Sequence, residues 1–169
     1  MNDILKYLLA FGLYLFFQVS LFNGLVLFNM AVPFIFILFA LSLPFQTPTA
    51  LMYGLAFGCG LLVDMLSDDA ATGLHAFSLL LAVSQRPFFA RLVSSTNFRS
   101  LEEMSFKNQS AIWYILYLAP LIFIHHFAYF FLESLSFQNF FYKLLQVFTS
   151  SIYTLVISYI LCLLFYRNR

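Results

Sequence analysis

Along the chain, apolar runs of about twenty residues alternate with short polar breaks, a pattern of membrane-length helices rather than strands. The runs lie at about 4–22, 25–43, 49–66, 73–90, 110–132 and 144–166. Asn23–Gly24 ends the first. The second carries Asn29 near its start and Pro33 in its first turns. Pro44-Phe-Gln-Thr-Pro48 ends that run, because proline has no backbone donor and restricts the residue before it. Thr49 to Leu66 makes about 27 Å of helix, just enough for a hydrocarbon core. The fourth run is short: 12 residues separate Gly73 from Arg86–Pro87, roughly 20 Å at the helical rise. The spacing predicts a short span followed by an interfacial Phe88–Arg91 segment. A kinked continuation through Pro87, with Arg86 snorkelling to the headgroups, is the alternative.

Ser94–Gln109 is the one long hydrophilic stretch. Ser100 with Glu103 matches a capping box, so a brief surface helix and an unstructured loop both fit it. The fifth run opens on Trp113 and Tyr114, an interfacial pair, and holds Pro120, a kink candidate. Glu133–Lys143 connects it to the sixth. The first run has a short charged head but no small-residue cleavage site, so it is expected to stay as a span rather than act as a signal peptide.

Composition turns this pattern into a class. Hydrophobic residues make up 63% of the 169 positions and charged ones 9%, against about 25% charged in an ordinary soluble domain. No water-soluble core can hide that much apolar surface, so the bilayer is the solvent. The expectation is an all-α polytopic membrane protein: one integral domain over 1–169, with six transmembrane helices in a compact bundle. Charge sets its orientation. With the N-terminus inside, Lys6, Arg86, Arg91, Arg99, Lys107, Arg167 and Arg169 face the cytoplasm and only Lys143 faces out. The predicted topology is N-in, C-in, with Arg86, Arg91, Arg99, Lys107, Arg167 and Arg169 as basic anchors. These are too sparse to argue for nucleic acid; contact with anionic membrane lipids explains them better.

Polar and small residues concentrate in Tyr53–Leu80, YGLAFGCGLLVDMLSDDAATGLHAFSLL, which holds four of the 6 glycines. On a helix Gly54 and Gly58 form one row, and Ala56, Gly60 and Asp64 another on roughly the opposite side. Two thin flanks let two neighbours approach closely, so Gly54, Ala56, Gly58 and Gly60 are predicted packing positions inside the bundle. Plain packing is the ordinary meaning of such spacing. Asp64 is less ordinary, because a carboxylate in an apolar helix must be solvated or paired. It either reaches water at the helix end or holds the Ser67–Thr72 turn against the start of the fourth helix. That helix presents unpaired N–H groups there. His75 is an alternative partner. Asp64, His75, Asp68 and Asp69 together form the expected outer-end polar cluster.

The remaining chemistry is thin. Cys59 and Cys162 sit in apolar runs and offer no disulfide framework. His125 and His126 point about 100° apart on a helix, so at most one faces a given partner. There is no HExxH, no GxSxG and no phosphate-binding glycine motif, and Asp64 has no second intramembrane carboxylate. No metal, cofactor or catalytic site is expected.

The order GLAFGCGLLVDMLSDDAATGLHAFSLLLAVSQRP resembles the signature region of the MreD family of bacterial rod-shape-determining membrane proteins. The match lies in the small-residue third helix, the Asp64 that ends it, and the turn into Gly73-Leu74-His75-Ala76. Length and six spans fit along the whole chain. The resemblance implies a non-enzymatic scaffold in the bacterial inner membrane. Its partner would be a bitopic MreC-type protein and, through it, MreB, RodA and a class B penicillin-binding protein. It also implies a fold like the substrate-binding subunits of energy-coupling-factor vitamin transporters, which supplies a rival: capture of a small ligand in an outward-facing pocket. The predicted outer loops, 23–28, 67–72 and 133–142, carry few polar groups for such a pocket.

Overall fold

A computed structural model describes residues 3–67, 73–94, 105–107, 109–134 and 139–166. Asp68, Asp69, Arg99, Arg167, Arg169 and the Ser100/Glu103 capping box lie outside these residues. The described residues form helices and no strand. In order they are α1 (Asp3–Phe17), which runs on into a π-helical turn at Gln18–Phe22, α2 (Phe36–Ser42), α3 (Thr49–Leu66), α4 (Leu74–Ser84), α5 (Arg86–Val93), α6 (Ala111–Ser134) and α7 (Phe140–Phe165). Among the described residues, four stretches are long and apolar enough to cross a membrane: α3, α4 with α5 as Leu74–Val93, Ala111–Glu133 of α6, and α7. Tyr7–Phe22 is a shorter apolar helix.

Thr49–Leu66 is helical over the expected bounds. The run 25–43 is not: it is helical only over Phe36–Ser42. A tight turn closes at Leu27–Met30, where the Met30 N–H reaches the Leu27 carbonyl at 3.0 Å. Phe28 (φ 52°) and Asn29 (φ 56°) both lie in the left-handed region there, which asparagine tolerates and phenylalanine rarely adopts. Beyond the turn Pro33, lacking an N–H, suits the extended path into α2. Every residue from Phe36 to Leu41 is at most 2% exposed. A helix apolar on all sides belongs in a core, so α2 is walled by protein rather than by lipid.

The fourth run is helical in two pieces, Leu74–Ser84 and then Arg86–Val93, with the break at Gln85. Pro87 sits in the first turn of α5, where a missing N–H leaves no intrahelical bond unmade. α4 is central, packed on α3 to one side and α6 to the other, while α7 lies mainly on α6 and α1 on α2 and α3. Lys143 meets Glu133 at 3.5 Å across the connection from α6 to α7.

Only one of the two thin flanks of α3 is used. At Gly60 an added Cβ would stand 2.6 Å from the Ala76 nitrogen and closer still to its Cα, so α3 and α4 touch backbone to backbone. Ala56 is buried on the same row. Gly54 and Gly58, expected to receive a second neighbour, face open space: a Cβ on either would meet nothing within 4 Å.

Candidate functional site

A buried stretch of non-helical backbone must find partners for its N–H and C=O groups, because hydrocarbon offers none. Residues 31–36 meet that demand from three directions. The Ala31 N–H reaches the Leu27 carbonyl at 2.9 Å. The Val32 N–H donates to Ser150 Oγ at 3.0 Å and the Phe34 N–H to Thr154 Oγ1 at 3.0 Å. Gln18 serves the rest. Its Oε1 accepts the N–H groups of Ile35 (2.8 Å) and Phe36 (3.3 Å), while its Nε2 donates to the Pro33 carbonyl (3.1 Å) and Asn23 Oδ1 (2.9 Å). Both donors and both acceptor positions of this fully buried amide are in use. Asn23 passes the link to α3 by donating to Ser67 Oγ at 3.1 Å.

The other end of α2 is held by a charge. Arg86, expected as a cytoplasmic anchor, is 1% exposed and turned inward. Its guanidinium donates through Nη2 to the Leu43 carbonyl, through Nε to Tyr117 Oη at 3.0 Å and through Nη1 to the Met52 sulfur at 2.9 Å. It also stands 5.0 Å from the centre of the Phe45 ring. Tyr117 in turn donates to the Leu41 carbonyl at 3.1 Å. The last carbonyls of a helix have no internal partner and carry partial negative charge, so a cation there is favourable. Of the other expected anchors that are described, Arg91 and Lys107 are exposed.

Asp64 performs the mirror-image task for α4. It is 3% exposed, and its carboxylate accepts the backbone N–H groups of Gly73 (3.0 Å), His75 (2.9 Å) and Ala76 (3.2 Å). The carboxylate therefore caps the start of the fourth helix instead of reaching water. Gly73 sits at φ 101°, a conformation open to glycine, which turns its own N–H onto that carboxylate. His75 meets Asp64 through its backbone, not its ring.

The three histidine rings lie together instead. His75 stacks on Tyr129 (4.2 Å between centroids, 12° between planes) and lies parallel to His125 at 5.8 Å. His125 and His126 are both fully buried. Contrary to the expectation that only one could face a given group, both meet Phe34, at 5.8 and 5.0 Å. The Phe34 ring fills the chamber between α4 and α6, with His75 at 4.6 Å and Tyr129 at 5.0 Å on its other sides. His126 completes a relay: Nδ1 lies 2.9 Å from the Ile122 carbonyl and Nε2 3.2 Å from Thr154 Oγ1. The Ile122 carbonyl can only accept, so it takes its hydrogen bond from Nδ1, while the Thr154 hydroxyl meets the ring at Nε2. His75 Nδ1 and both ring nitrogens of His125 have no hydrogen-bond partner among the described residues. No three His, Cys, Asp or Glu side chains among the described residues come together as metal ligands. Cys59 and Cys162 are buried free thiols.

Gln18, Phe34, Tyr117, Ser150 and Thr154 were not among the expected site residues. Two signals pointed toward them: Gln18 is the lone amide within a long apolar run, and Ser150, Thr154, Ser158 and Cys162 recur at helical spacing on α7. Compared with family models, curated proteins and solved structures, the chain matches none.

Proposed function

We propose that this chain is a non-enzymatic membrane scaffold of the MreD type. In that reading six segments lie in a bacterial inner membrane with both termini in the cytoplasm, and the protein docks the transmembrane segment of an MreC-type partner. Through that partner it supports the elongation machinery, with MreB, RodA and a class B penicillin-binding protein as indirect partners. One observation carries the reading: the hydrogen-bonded buried polar groups Gln18, Asp64, Arg86, Tyr117, Ser150 and Thr154 are spent on the protein's own backbone. Groups committed in this way hold a shape; they are not free to move protons or grip substrate. A docking face is also at hand, since Gly54 and Gly58 lie open on α3 and small residues let another helix approach closely in lipid.

The rival, capture of a small ligand, draws on the unpartnered nitrogens of His75 and His125. Against it, the Phe34 ring already packs on both histidine rings. The test is capture of an MreC-type partner by the tagged protein from gently solubilised membranes. Gly58→Leu should lose that partner while keeping the thermal stability of the unsubstituted chain. Recovery of a stoichiometric small molecule, with no bitopic partner, would point to the rival.

A further inference from the structure

Because α1 packs on α2 and α3 while α7 packs on α6, an open groove of about 550 Å³ remains between α1 and α7. Its walls are Leu13, Phe17 and Leu21 on one side and Leu161 and Phe165 on the other, with Ile35 also lining it. One charged side chain is among the described residues that line it, Lys107. Tyr14 and Tyr166 also line it, and Tyr166 Oη stands 3.0 Å from Ser42 Oγ. Among the described residues, this apolar channel therefore carries one cation and phenolic hydroxyls.

We propose that this groove binds one anionic phospholipid of the surrounding bilayer, an acyl chain along α1 and the phosphate at Lys107. Three features select that occupant. The volume falls within the range of about 300–1,000 Å³ typical of small-molecule sites. From Ala10 to Phe22 the wall is about 18 Å long at the helical rise, close to the ~15 Å depth of one leaflet. Its lining is large and branched, with Ala10 the one small residue. A second helix packs poorly on such a wall, because close approach in lipid needs small residues, whereas a flexible chain fits between the rings. The cation at one end selects the headgroup: a basic residue at an anionic surface contributes about 1 kcal/mol, or roughly fivefold in occupancy. This inference rests on the chain lying in a bilayer and is independent of the scaffold reading.

Native mass spectrometry of the full chain, released from vesicles of equimolar phosphatidylglycerol and phosphatidylcholine, tests it. The expected result is one retained phospholipid per chain, with phosphatidylglycerol favoured about fivefold, the charge contribution given above. Lys107→Ala, at an exposed position, should abolish the preference but leave a lipid bound. Leu161→Trp, which fills the channel, should abolish retention; Leu13→Trp does the same from the opposite wall, so a folding defect in one is checked by the other. Equal retention of the two lipids by the unsubstituted chain, or retention unchanged in both tryptophan variants, overturns the proposal. So does an empty groove.

Discussion

Gln18 Oε1 and the Ile35 N–H meet at 2.8 Å in the fully buried interior. Through this contact the end of α1 starts α2, for the amide does from a distance what a capping side chain usually does from the next residue. Gln18→Leu keeps most of the bulk and removes every hydrogen bond. It strands the Ile35 and Phe36 donors at about 1–3 kcal/mol each. Thermal unfolding in detergent should fall by roughly 4–24 °C, given about 2–4 °C per kcal/mol at this chain length. An unchanged midpoint would mean that the segment 31–36 finds other partners.

Asp64 gives a graded series. Its two oxygens divide three donors, Oδ1 taking His75 and Oδ2 taking Gly73 and Ala76. Asparagine keeps one acceptor oxygen and loses the charge; leucine loses both. Hydrogen exchange at these three amides should rise modestly in Asp64→Asn and strongly in Asp64→Leu. The cap contributes about 0.5–2 kcal/mol. Equal exchange in both variants would show that charge alone matters.

The glycines of α3 should part company. Gly60→Ala drives a methyl into the backbone of Ala76 and should destabilise by about 1–3 kcal/mol. Gly54→Ala and Gly58→Ala meet open space and gain helix propensity, up to ~1 kcal/mol each. Thermal midpoints of the three single variants decide it; a fall in all three would place a neighbour on the open flank.

Arg86 joins Leu43, Met52 and Tyr117 with three different nitrogens. Lysine offers a single point charge and cannot span them. Arg86→Lys should therefore lose about 2 kcal/mol or more, since hydrogen bonds to a charged group are worth about 1.5–3 each. Full stability of Arg86→Lys would reduce the role of this residue to charge at the end of α2.

Phe34→Ala removes the ring from the histidine chamber. A cost of about 3–5 kcal/mol is expected. The cavity left is lined by the His75, His125, His126 and Tyr129 rings, with nitrogens on His75 and His125 unpartnered among the described residues. A small aromatic molecule carrying an N–H, indole or imidazole, should therefore restore part of the lost midpoint. Failure of both to bind would show that the chamber collapses when empty.

What the sequence made legible follows from locality. Thr49–Leu66 could be bounded because proline precedes it and a polar turn follows. Asp64 stood out because a carboxylate among apolar residues must have a partner, and the nearest donors were a few residues ahead. The segment 25–43 was opaque for the opposite reason. A continuous apolar run reads the same whether it forms a lipid-facing helix or a buried loop and short helix. Its deciding partners, Ser150 and Thr154, lie 118 and 120 positions away. Arg86 misled because a cation near a proline break looks like a headgroup anchor, and only the fold places carbonyls around it. Gly54 and Gly58 share their spacing with Gly60; which flank is covered is decided by α4, not by the spacing.

The dependence of Val32 and Phe34 on α7 also has a consequence in time. Both are synthesised well before the hydroxyls that receive their N–H groups, by 118 and 120 residues. At about 5–20 residues per second, the ribosome takes roughly 6–24 s to cover that distance. Throughout that interval two backbone donors of the second segment lack their final acceptors, and hydrocarbon supplies none. The segment must wait near water or within the insertion machinery until the last helix arrives. A nascent chain stopped before Ser150 is thus expected to leave residues 31–36 open to chemical labelling, and release of the completed chain to close them.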